Sequence, residues 1–200
     1  MNNNILIDCG VSLKALSDVK KQINIVLLTH IHSDHFNKTT IRNLATERPI
    51  LRFACCEWLV PELLDCFVSE RNIDVMKVGK IYNYGAFKVS PVKLYHDVEQ
   101  CGWRVFAGGQ KAIYMTDTCT VEGISAKDYD LYLIEANYSE DDLQERIRTK
   151  EGSGQYVYEY RVPKTHLSKE QADEWLLENM GEHSEYVYLH QHKDREENND

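Results

Sequence analysis

The sequence predicts an α+β fold in which two β-sheets pack face to face and are covered by outer helices. Short apolar runs, either continuous or alternating with polar residues, indicate β-strands over the first two thirds of the chain. Helical segments lie between several of these strands. The chain has 200 residues, of which 42% are hydrophobic, and can therefore bury one substantial core. Two sheets between helical layers bury this pattern.

Each predicted strand is an apolar run bounded by turn residues. The predicted strands are Ile5 to Ile7, Ile25 to Leu28, Leu51 to Ala54, Val75 to Val78, Phe87 to Leu94, Trp103 to Ala107, Ala112 to Met115, Leu131 to Glu135 and Tyr186 to Leu189. Gly108 and Gly109 stand between two of these runs and indicate a hairpin turn rather than a phosphate-binding loop.

The predicted helices begin at residues that favour the N-cap position. They run from Thr39 or Thr40 to about Glu47, from Ser139 to Ile147, from Ser168 to Met180 and, as a shorter segment, from Cys56 to Cys66. Pro49 bars continuation of the first helix, and Gly181 ends the third. These ends place the helices between or after the predicted strands.

The acidic balance of the chain restricts its partners. The net charge is −9 and the isoelectric point is near 5.4, which argues against a protein that holds long nucleic acid mainly by neutralising its phosphates. Bound divalent cations supply local positive charge whatever the net charge of the chain, so the net charge does not exclude a reaction at phosphate. The charge therefore favours a small or single-stranded substrate.

The expected location is the cytoplasm, and no membrane partner is expected. No apolar stretch approaches the length of a membrane span, and Met1 to Asn4 lacks the basic start and apolar core of a secretion signal. The cysteines have no CxxC spacing, so we expect reduced and largely buried thiols at Cys9, Cys55, Cys56, Cys66, Cys101 and Cys119.

Metal-capable side chains are concentrated in the segment His30-Ile31-His32-Ser33-Asp34-His35, directly after an apolar run. Side chains with this spacing can converge on metal ions if the segment is a loop that leaves a strand. They could not converge from one helix, where neighbours on a face are three or four residues apart. The segment therefore predicts a metal site at the end of a strand.

Three further candidate ligands also follow predicted strands. They are His96 after Val92 to Tyr95, Asp117 after Ala112 to Thr116, and His190 after Tyr186 to Leu189. Residues at strand ends are displayed on one edge of a sheet, where several loops can meet. Together with the histidine-rich segment they supply enough nitrogen and carboxylate ligands for two borderline metal ions.

These motifs resemble those of a known family. The segments Ile7-Asp8-Cys9-Gly10, Leu28 to His35 and Tyr114-Met115-Thr116-Asp117-Thr118 resemble the metallo-β-lactamase superfamily, whose fold is an αββα four-layer sandwich. Ile134 to Tyr138, Thr165 to Ser168 and Leu189 to His192 follow in the order seen in its phosphodiesterase branch. That branch contains tRNA 3′-processing endonucleases (tRNase Z), DNA exonucleases and cyclic-nucleotide-degrading enzymes. The chain is similar to its small bacterial and bacteriophage members.

The resemblance implies two divalent metal ions per chain, zinc in the first place, with manganese or iron as alternatives. One ion would be held by His30, His32 and His96, and the other by Asp34, His35 and His190, with Asp117 bridging the two. The last ligand stays open between His190, which we prefer, His192 and His166. The resemblance also implies that His166 contacts the scissile phosphate or the leaving group and is oriented by Glu135. Asp34 would orient the attacking hydroxide while it binds metal.

The chain departs from the family at its N-terminus. Members usually begin with a strand or hairpin before the Asp-Cys-Gly segment, whereas only four residues precede Ile5. We therefore expect a trimmed N-terminal sheet, whose edge a second copy could complete in a homodimer. No long insert resembles the substrate-binding arm of tRNA-processing members, which weakens a tRNA substrate.

The domain prediction is a single metallo-β-lactamase-fold domain over residues 1–192, followed by an acidic disordered tail over residues 193–200. The tyrosine-rich segment Tyr156 to Arg161 is interpreted mainly as an alternating strand or extended segment that packs on the scaffold or on a partner chain. The alternative is that its rings stack on a base while Arg161 meets a phosphate.

The leading functional hypothesis is a dinuclear metal-dependent hydrolase. It would be a phosphodiesterase or nuclease that cleaves a nucleotide or nucleic-acid phosphodiester through a metal-bound hydroxide. One alternative is a metallo-hydrolase of a thioester, lactone or lactam, which needs no equivalent of the Glu135 and His166 pair. The other is a non-enzymatic module that binds nucleotides.

Overall fold

The computed structural model describes residues 4–191, which form two compact units. Unit 1 runs from the first described residue to Lys93 and from Val98 to Gly109, and unit 2 comprises Leu94 to Asp97 and the residues from Gln110 onward. The residues of the predicted acidic tail, 193–200, and the alternative ligand His192 lie outside the described part of the chain. No helix among the described residues is long and apolar enough to cross a membrane.

Unit 1 contains a parallel sheet in the order β1-β2-β3-β4, with one helical layer built from its crossover segments. Its strands are β1 (Asn4–Ile7), β2 (Ile23–Leu27), β3 (Arg52–Cys56) and β4 (Ile73–Met76). The helices are α1 (Lys38–Glu47) and α2 (Val60–Asp65), with 3₁₀ helices at Glu57–Leu59 and Glu70–Asn72. Parallel strands are buried on both faces, which is why β2 and β3 are nearly continuous apolar runs.

The core of unit 1 packs apolar side chains of this sheet against α1. Val26, Phe53, Ile41 and Leu44 are all fully buried within one hydrophobic cluster. An antiparallel group completes the unit, with β5 (Tyr82–Asn83), β6 (Phe87–Lys93) and β7 (Cys101–Ala107) paired in sequence order. The packing of the parallel sheet against α1 positions the start of the loop after β2.

Unit 2 contains three parallel strands and two longer helices. The strands are β8 (Gln110–Met115), β9 (Leu131–Glu135) and β10 (Glu185–Leu189), and β9 pairs with both others. The helices are α3 (Glu140–Ser153) and α4 (Lys169–Asn179), with a 3₁₀ helix at Tyr158–Lys164. Because the three strands run in parallel, their C-terminal ends lie at the same edge.

The predicted strands and the longer helices are confirmed to within a few residues. The three corrections concern the start of α1, the end of α3 and the tyrosine-rich segment. Asn37, rather than Thr39 or Thr40, caps α1, since its side-chain oxygen accepts the backbone N–H of Thr40 at 3.0 Å. Helix α3 extends to Ser153 instead of stopping at Ile147. The short strand β5 has too few residues to show a pattern in the sequence.

The third correction concerns the tyrosine-rich segment, which is a 3₁₀ helix over Tyr158–Lys164 and not a strand. Alternating rings imitate the period of a strand, but tertiary contacts decide the local structure here. Val157 and Val162 pack against a buried cluster that contains Leu143 and Ile147 of α3. The segment is thus docked on a helix instead of being paired in a sheet.

The cysteine prediction is confirmed among the described residues. All six thiols are free, and five of them are buried, with Cys119 partly exposed. The cysteines have no CxxC spacing in the sequence, so the candidate metal ligands are histidines and carboxylates.

Candidate metal centre

The histidine-rich segment of unit 1 is a tight turn that leaves β2, as its sequence predicts. The backbone N–H groups of His35 and Phe36 both donate to the carbonyl of His32, at 2.9 and 2.7 Å. The ring of His30 lies 4.8 Å from that of His32 and 4.4 Å from that of His35, measured between centroids. The turn therefore gathers three imidazoles in one place.

Asp34 stands at the open side of this turn. Its side chain is 62% exposed, and Oδ2 lies 3.6 Å from Nε2 of His35. By contrast His30 is fully buried and His35 nearly so. The segment thus presents an accessible carboxylate beside a group of rings that the scaffold holds.

Asp8, which directly follows β1, organises two of these rings. Its Oδ2 lies 2.8 Å from Nδ1 of His35, and its Oδ1 accepts the backbone N–H of Thr29 at 2.9 Å. The Thr29 hydroxyl lies 2.9 Å from Oδ2 of Asp8 and also 2.9 Å from Nδ1 of His30. Because that hydroxyl has one proton, it donates to Asp8 and accepts from His30.

These contacts fix the tautomers of both rings. With Nδ1 of His30 and His35 acting as donors, the lone pair of each ring is on Nε2. A metal-binding histidine characteristically donates its other ring N–H to a carboxylate, carbonyl or similar acceptor. The surroundings of His30 and His35 therefore match those of metal ligands.

Asp8 contacts Thr29 and His35 of the loop after β2, and no role was expected for it from the sequence. It has a left-handed backbone, with φ at 61°, an uncommon conformation for a residue other than glycine. Burial raises the pKa of its carboxyl group, and the hydrogen bonds and charge of His35 oppose that rise. A polar residue directly after a short apolar strand is the sequence signal that could have identified it.

A second contact holds the loop to the segment after β1. The backbone N–H of Cys9 donates to the carbonyl of His35 at 2.7 Å, and that of Asn37 donates to the carbonyl of Cys9 at 3.1 Å. A Cβ atom at Gly10 would lie 1.5 Å from the carbonyl oxygen of Asp34. Only glycine fits there, which explains the Asp-Cys-Gly sequence.

We predict that Asp8→Asn weakens metal binding by about 10- to 100-fold, because an amide cannot accept hydrogen bonds at both of its atoms. The measurement is a competition titration of the protein with a chromophoric chelator. Asp18→Asn, at an exposed aspartate of the same unit, is the matched control and should leave affinity within about twofold. Equal affinities for Asp8→Asn and the wild type would contradict the role given to Asp8.

Unit 2 brings four of the predicted site residues together at the C-terminal edge of its strands. One potential ligand atom from each of Asp117, Glu135, His166 and His190 lies within 4.8 Å of the others. Nδ1 of His190 is 2.8 Å from Oδ1 of Asp117 and 3.2 Å from Oε1 of Glu135. Nδ1 of His166 is 2.7 Å from the same Glu135 oxygen and 3.7 Å from Asp117.

The backbone fixes the orientation of Glu135. Its Oε2 accepts the N–H of Thr118 at 2.8 Å and that of Leu167 at 3.4 Å, so that Oε1 is left to face the two histidines. Backbone groups from a segment before β9 and from a segment after it in the sequence therefore orient this carboxylate.

This cluster of unit 2 requires positive charge. Asp117 and Glu135 are 2% and 0% exposed, and two buried carboxylates are costly unless cations compensate them. Hydrogen bonds to Asp117 and to Glu135 raise the pKa of His190 to about 10, so these carboxylates favour a positive charge beside them. A divalent metal ion supplies the same compensation.

Strained backbone marks the same residues. Asp117 and His190 have φ values of 51° and 50°, in the left-handed region that residues other than glycine rarely occupy. Such strain persists only where surrounding structure imposes it, and it clusters at functional sites. His190 directly follows β10 and Asp117 comes two residues after the end of β8, so each left-handed residue lies where the chain turns away from a strand.

His96, also in unit 2, has its tautomer fixed in the same way as the rings of unit 1. Its Nδ1 donates to the carbonyl oxygen of Thr165 at 2.8 Å, which leaves the lone pair on Nε2. Its ring centroid lies 5.1 Å from that of His166. Nε2 lies 3.2 Å from an oxygen of Asp97. His96 thus also carries the hydrogen-bond pattern of a ligand.

The donor set fits divalent metal ions. Imidazoles held by their Nδ1 atoms, together with buried carboxylates, suit borderline ions such as zinc, manganese or iron. His30, His32 and His35 lie together in unit 1. Asp117, Glu135, His166 and His190 lie together in unit 2, with His96 beside His166.

Comparison with known protein families assigns the chain to a family. The family described as the Beta-lactamase superfamily domain matches residues 3–190. No curated protein sequence matches the chain.

Solved structures give the same fold. The metallo-β-lactamase fold protein YhfI from Bacillus subtilis has a TM-score of 0.69 and 18% identity, over 95% of this chain and 75% of that one. The short form of human tRNase Z has a TM-score of 0.67 and 13% identity, over 94% and 81%. A diphosphatase from the PhnP family has a TM-score of 0.62 and 17% identity, over 94% and 68%. At these identities the likeness shows the fold alone, and it confirms the predicted α+β fold of metallo-β-lactamase type.

Proposed function

Since the chain belongs to the β-lactamase superfamily, whose members are generally hydrolases, we propose that it is a dinuclear metal-dependent phosphodiesterase. The proposed ligands are those that the family resemblance implies. His30, His32 and His96 would hold one ion and Asp34, His35 and His190 the other, with Asp117 contributing to both. The order of these motifs along the chain supports the assignment, as does the hydrogen bonding of their Nδ1 atoms within each unit.

Bound divalent ions supply a nucleophile from water at neutral pH and neutralise charge on a phosphoryl oxygen. Side chains of the protein orient the water and supply the proton. Asp34, exposed beside His35, orients the attacking water. His166 donates a proton to the departing oxygen from Nε2, while Glu135 holds its Nδ1–H.

The observation that carries this proposal is the contact between Glu135 and His166 at 2.7 Å. A buried carboxylate holds an imidazole by its Nδ1 both in metal ligands and in general acids, and the family resemblance assigns the second role to His166. Hydrolysis of a thioester, lactone or lactam in this fold needs no such pair. The names of two structural neighbours, a tRNase and a diphosphatase, also support phosphate chemistry.

The proposed substrate is a nucleotide or a short single-stranded nucleic acid. The net charge of −9 disfavours extended contacts with phosphates of a long duplex. Positive charge is therefore expected where the ions bind instead of over a wide surface.

The proposal is tested by assaying protein reconstituted with zinc, manganese or iron against bis(p-nitrophenyl) phosphate and against a thioester. We expect turnover of the phosphodiester at least tenfold faster than that of the thioester. Glu135→Gln should reduce turnover of the dinucleotide TpT, whose alkoxide leaving group needs a proton, about 100-fold, within the range of general acid catalysis. Hydrolysis of the thioester alone would contradict the proposal, as would nucleotide binding without turnover of any phosphodiester.

A further inference from the structure

Phe67 is an exposed aromatic residue in a strained backbone conformation. It is 76% exposed, and its φ of 62° lies in the left-handed region, where a bulky residue is an outlier. It directly follows Cys66, the C-cap residue of α2. Its backbone N–H donates to the carbonyl of Leu64 at 2.9 Å, and that of Val68 donates to the carbonyl of Leu63 at 3.1 Å. These two bonds form a Schellman motif, in which the position of Phe67 is usually occupied by glycine.

The end of α2 does not require an aromatic side chain at this position. Glycine makes the same backbone hydrogen bonds without the steric penalty of the left-handed region. The apolar contact that accompanies the motif is supplied by Leu63 and Val68, which are both buried in the core cluster of unit 1. The Phe67 ring stays largely in water, so neither packing nor backbone geometry explains it. Strain of this kind is characteristic of positions that bind a ligand.

Arg42 of α1 lies over the Phe67 ring. Its Cζ atom is 5.0 Å from the ring centroid, which is within the range of a cation–π contact. Arg42 is also exposed, so the ring and the guanidinium together form a surface on the outside of unit 1. We call this pair of side chains the stacking surface. Aromatic rings and guanidinium planes are the groups on which proteins stack unpaired nucleobases.

The charges around the stacking surface balance one another. Burial raises the pKa of the Cys66 thiol, and four charged side chains lie close enough to shift that pKa as well. Two are cations and two are acids: Lys38, Arg42, Glu62 and Asp65. Nζ of Lys38 lies 2.5 Å from Oε2 of Glu62. Because cations and carboxylates are equal in number within this group, a ligand must gain its affinity from the ring rather than from neutralised phosphates.

The size of the surface favours a base over a protein partner. The exposed apolar side chains at this end of α2 are Phe67 and Leu64, which is 44% exposed. Together they offer no more than a few hundred Å², whereas a stable protein interface buries about 1,000 Å² or more. One face of a single ring is enough for one base.

Helix α1 connects the stacking surface to the histidine-rich turn. Asn37, two residues after His35, caps this helix, and Arg42 lies in its second turn. His35 and Arg42 are seven positions apart in the sequence, so their Cα atoms are separated by at most about 25 Å. A strand of several nucleotides spans that distance, whereas a cyclic mononucleotide does not.

We propose that the stacking surface binds an unpaired base of a single-stranded nucleic acid, several nucleotides long, that the chain cleaves. The inference rests on the proposed function, which supplies the strand, and it narrows the substrate from nucleotides in general to single strands. Phe67 holds the base by stacking, and Arg42 fixes the position of the ring.

Binding is measured with a labelled thymidine octanucleotide whose phosphorothioate links resist cleavage. The wild type should bind it about fivefold or more tightly than Phe67→Gly does, since one stacked base contributes about 5- to 150-fold. Arg42→Met, which removes the charge and the plane, should lose about twofold or more. Ile81→Ala, at a 65% exposed apolar residue of the same unit, is the matched control and should bind as the wild type does. Equal affinities for the wild type and Phe67→Gly would overturn the inference.

Thermal unfolding shows whether Phe67 serves stability instead. Phe67→Gly relieves the left-handed strain, so its Tm should be no lower than that of the wild type. A Tm lower by about 3 °C or more would assign the ring to the fold and overturn the inference. Sedimentation that shows a wild-type dimer, lost in Phe67→Gly, would assign the ring to a contact between copies and would also overturn it.

Kinetics separate this inference from the proposed function. Phe67→Gly should lower kcat/KM about fivefold or more for an unmodified thymidine octanucleotide, and by less than about twofold for TpT. If the wild type cleaves both substrates and the variant loses nothing on either, the function stands and the inference is wrong. If the octanucleotide binds through Phe67 but no phosphodiester is cleaved, the proposed function is wrong and the stacking surface stands.

Discussion

Replacing Asp117 with alanine should remove bound metal and turnover together. Asp117 is buried, and its Oδ1 lies 2.8 Å from His190 while its Oδ2 accepts the hydroxyl of Thr116 at 2.9 Å. As the proposed bridging ligand it contributes to both ions, so its loss should lower phosphodiester turnover on the order of a thousandfold or more. Metal content by elemental analysis and turnover by steady-state assay are the measurements.

The matched control for this change is Asp173→Ala. Asp173 is a partly exposed aspartate on α4 that pairs with Lys169 and contacts Tyr188. It lies outside the candidate ligand set, so this variant should keep the metal content of the wild type. Retention of stoichiometric metal by Asp117→Ala, with a circular dichroism spectrum like that of the wild type, would exclude a bridging role.

His166→Ala should keep the metal ions and lose rate, whereas His190→Ala should lose metal. His166 contacts Glu135 at 2.7 Å, which suits an oriented proton donor, and general acid catalysis contributes about 100- to 10,000-fold. His190 instead lies closest to Asp117, at 2.8 Å. Elemental analysis and turnover numbers for the two variants separate the roles.

The leaving group provides a sharper test of His166. The p-nitrophenolate ion departs without protonation, whereas a nucleoside alkoxide needs a proton as it leaves. The rate lost in His166→Ala should therefore be much larger for TpT than for bis(p-nitrophenyl) phosphate. If His166→Ala loses a metal ion, or if the two substrates lose rate equally, His166 is a ligand and not the acid.

The strand-end residues of the site could be predicted because the parallel strands impose a simple rule. β8, β9 and β10 run in parallel, so Asp117, Glu135 and His190 come at the same edge of unit 2. Their positions in the sequence, directly after or at the end of an apolar run, are enough to bring them together. The histidine-rich turn after β2 follows the same rule in unit 1.

The roles of other residues could not be predicted, since they depend on where each side chain points and not on its position in the sequence. Asp8 also follows a strand, but its contacts with His35 and Thr29 come with a left-handed backbone that the sequence does not reveal. The 3₁₀ helix over Tyr158–Lys164 could not be predicted either, because it docks on α3 while its sequence pattern favoured a strand.

The central proposal is that this chain binds a pair of metal ions and uses them to cleave phosphodiesters. Its most direct test is the metal content of protein purified without chelators, measured together with phosphodiesterase activity before and after chelation. We expect two divalent ions per chain, loss of activity on their removal and recovery when zinc, manganese or iron is restored. Protein that contains only traces of metal, or that cleaves phosphodiesters equally well after chelation, would contradict it.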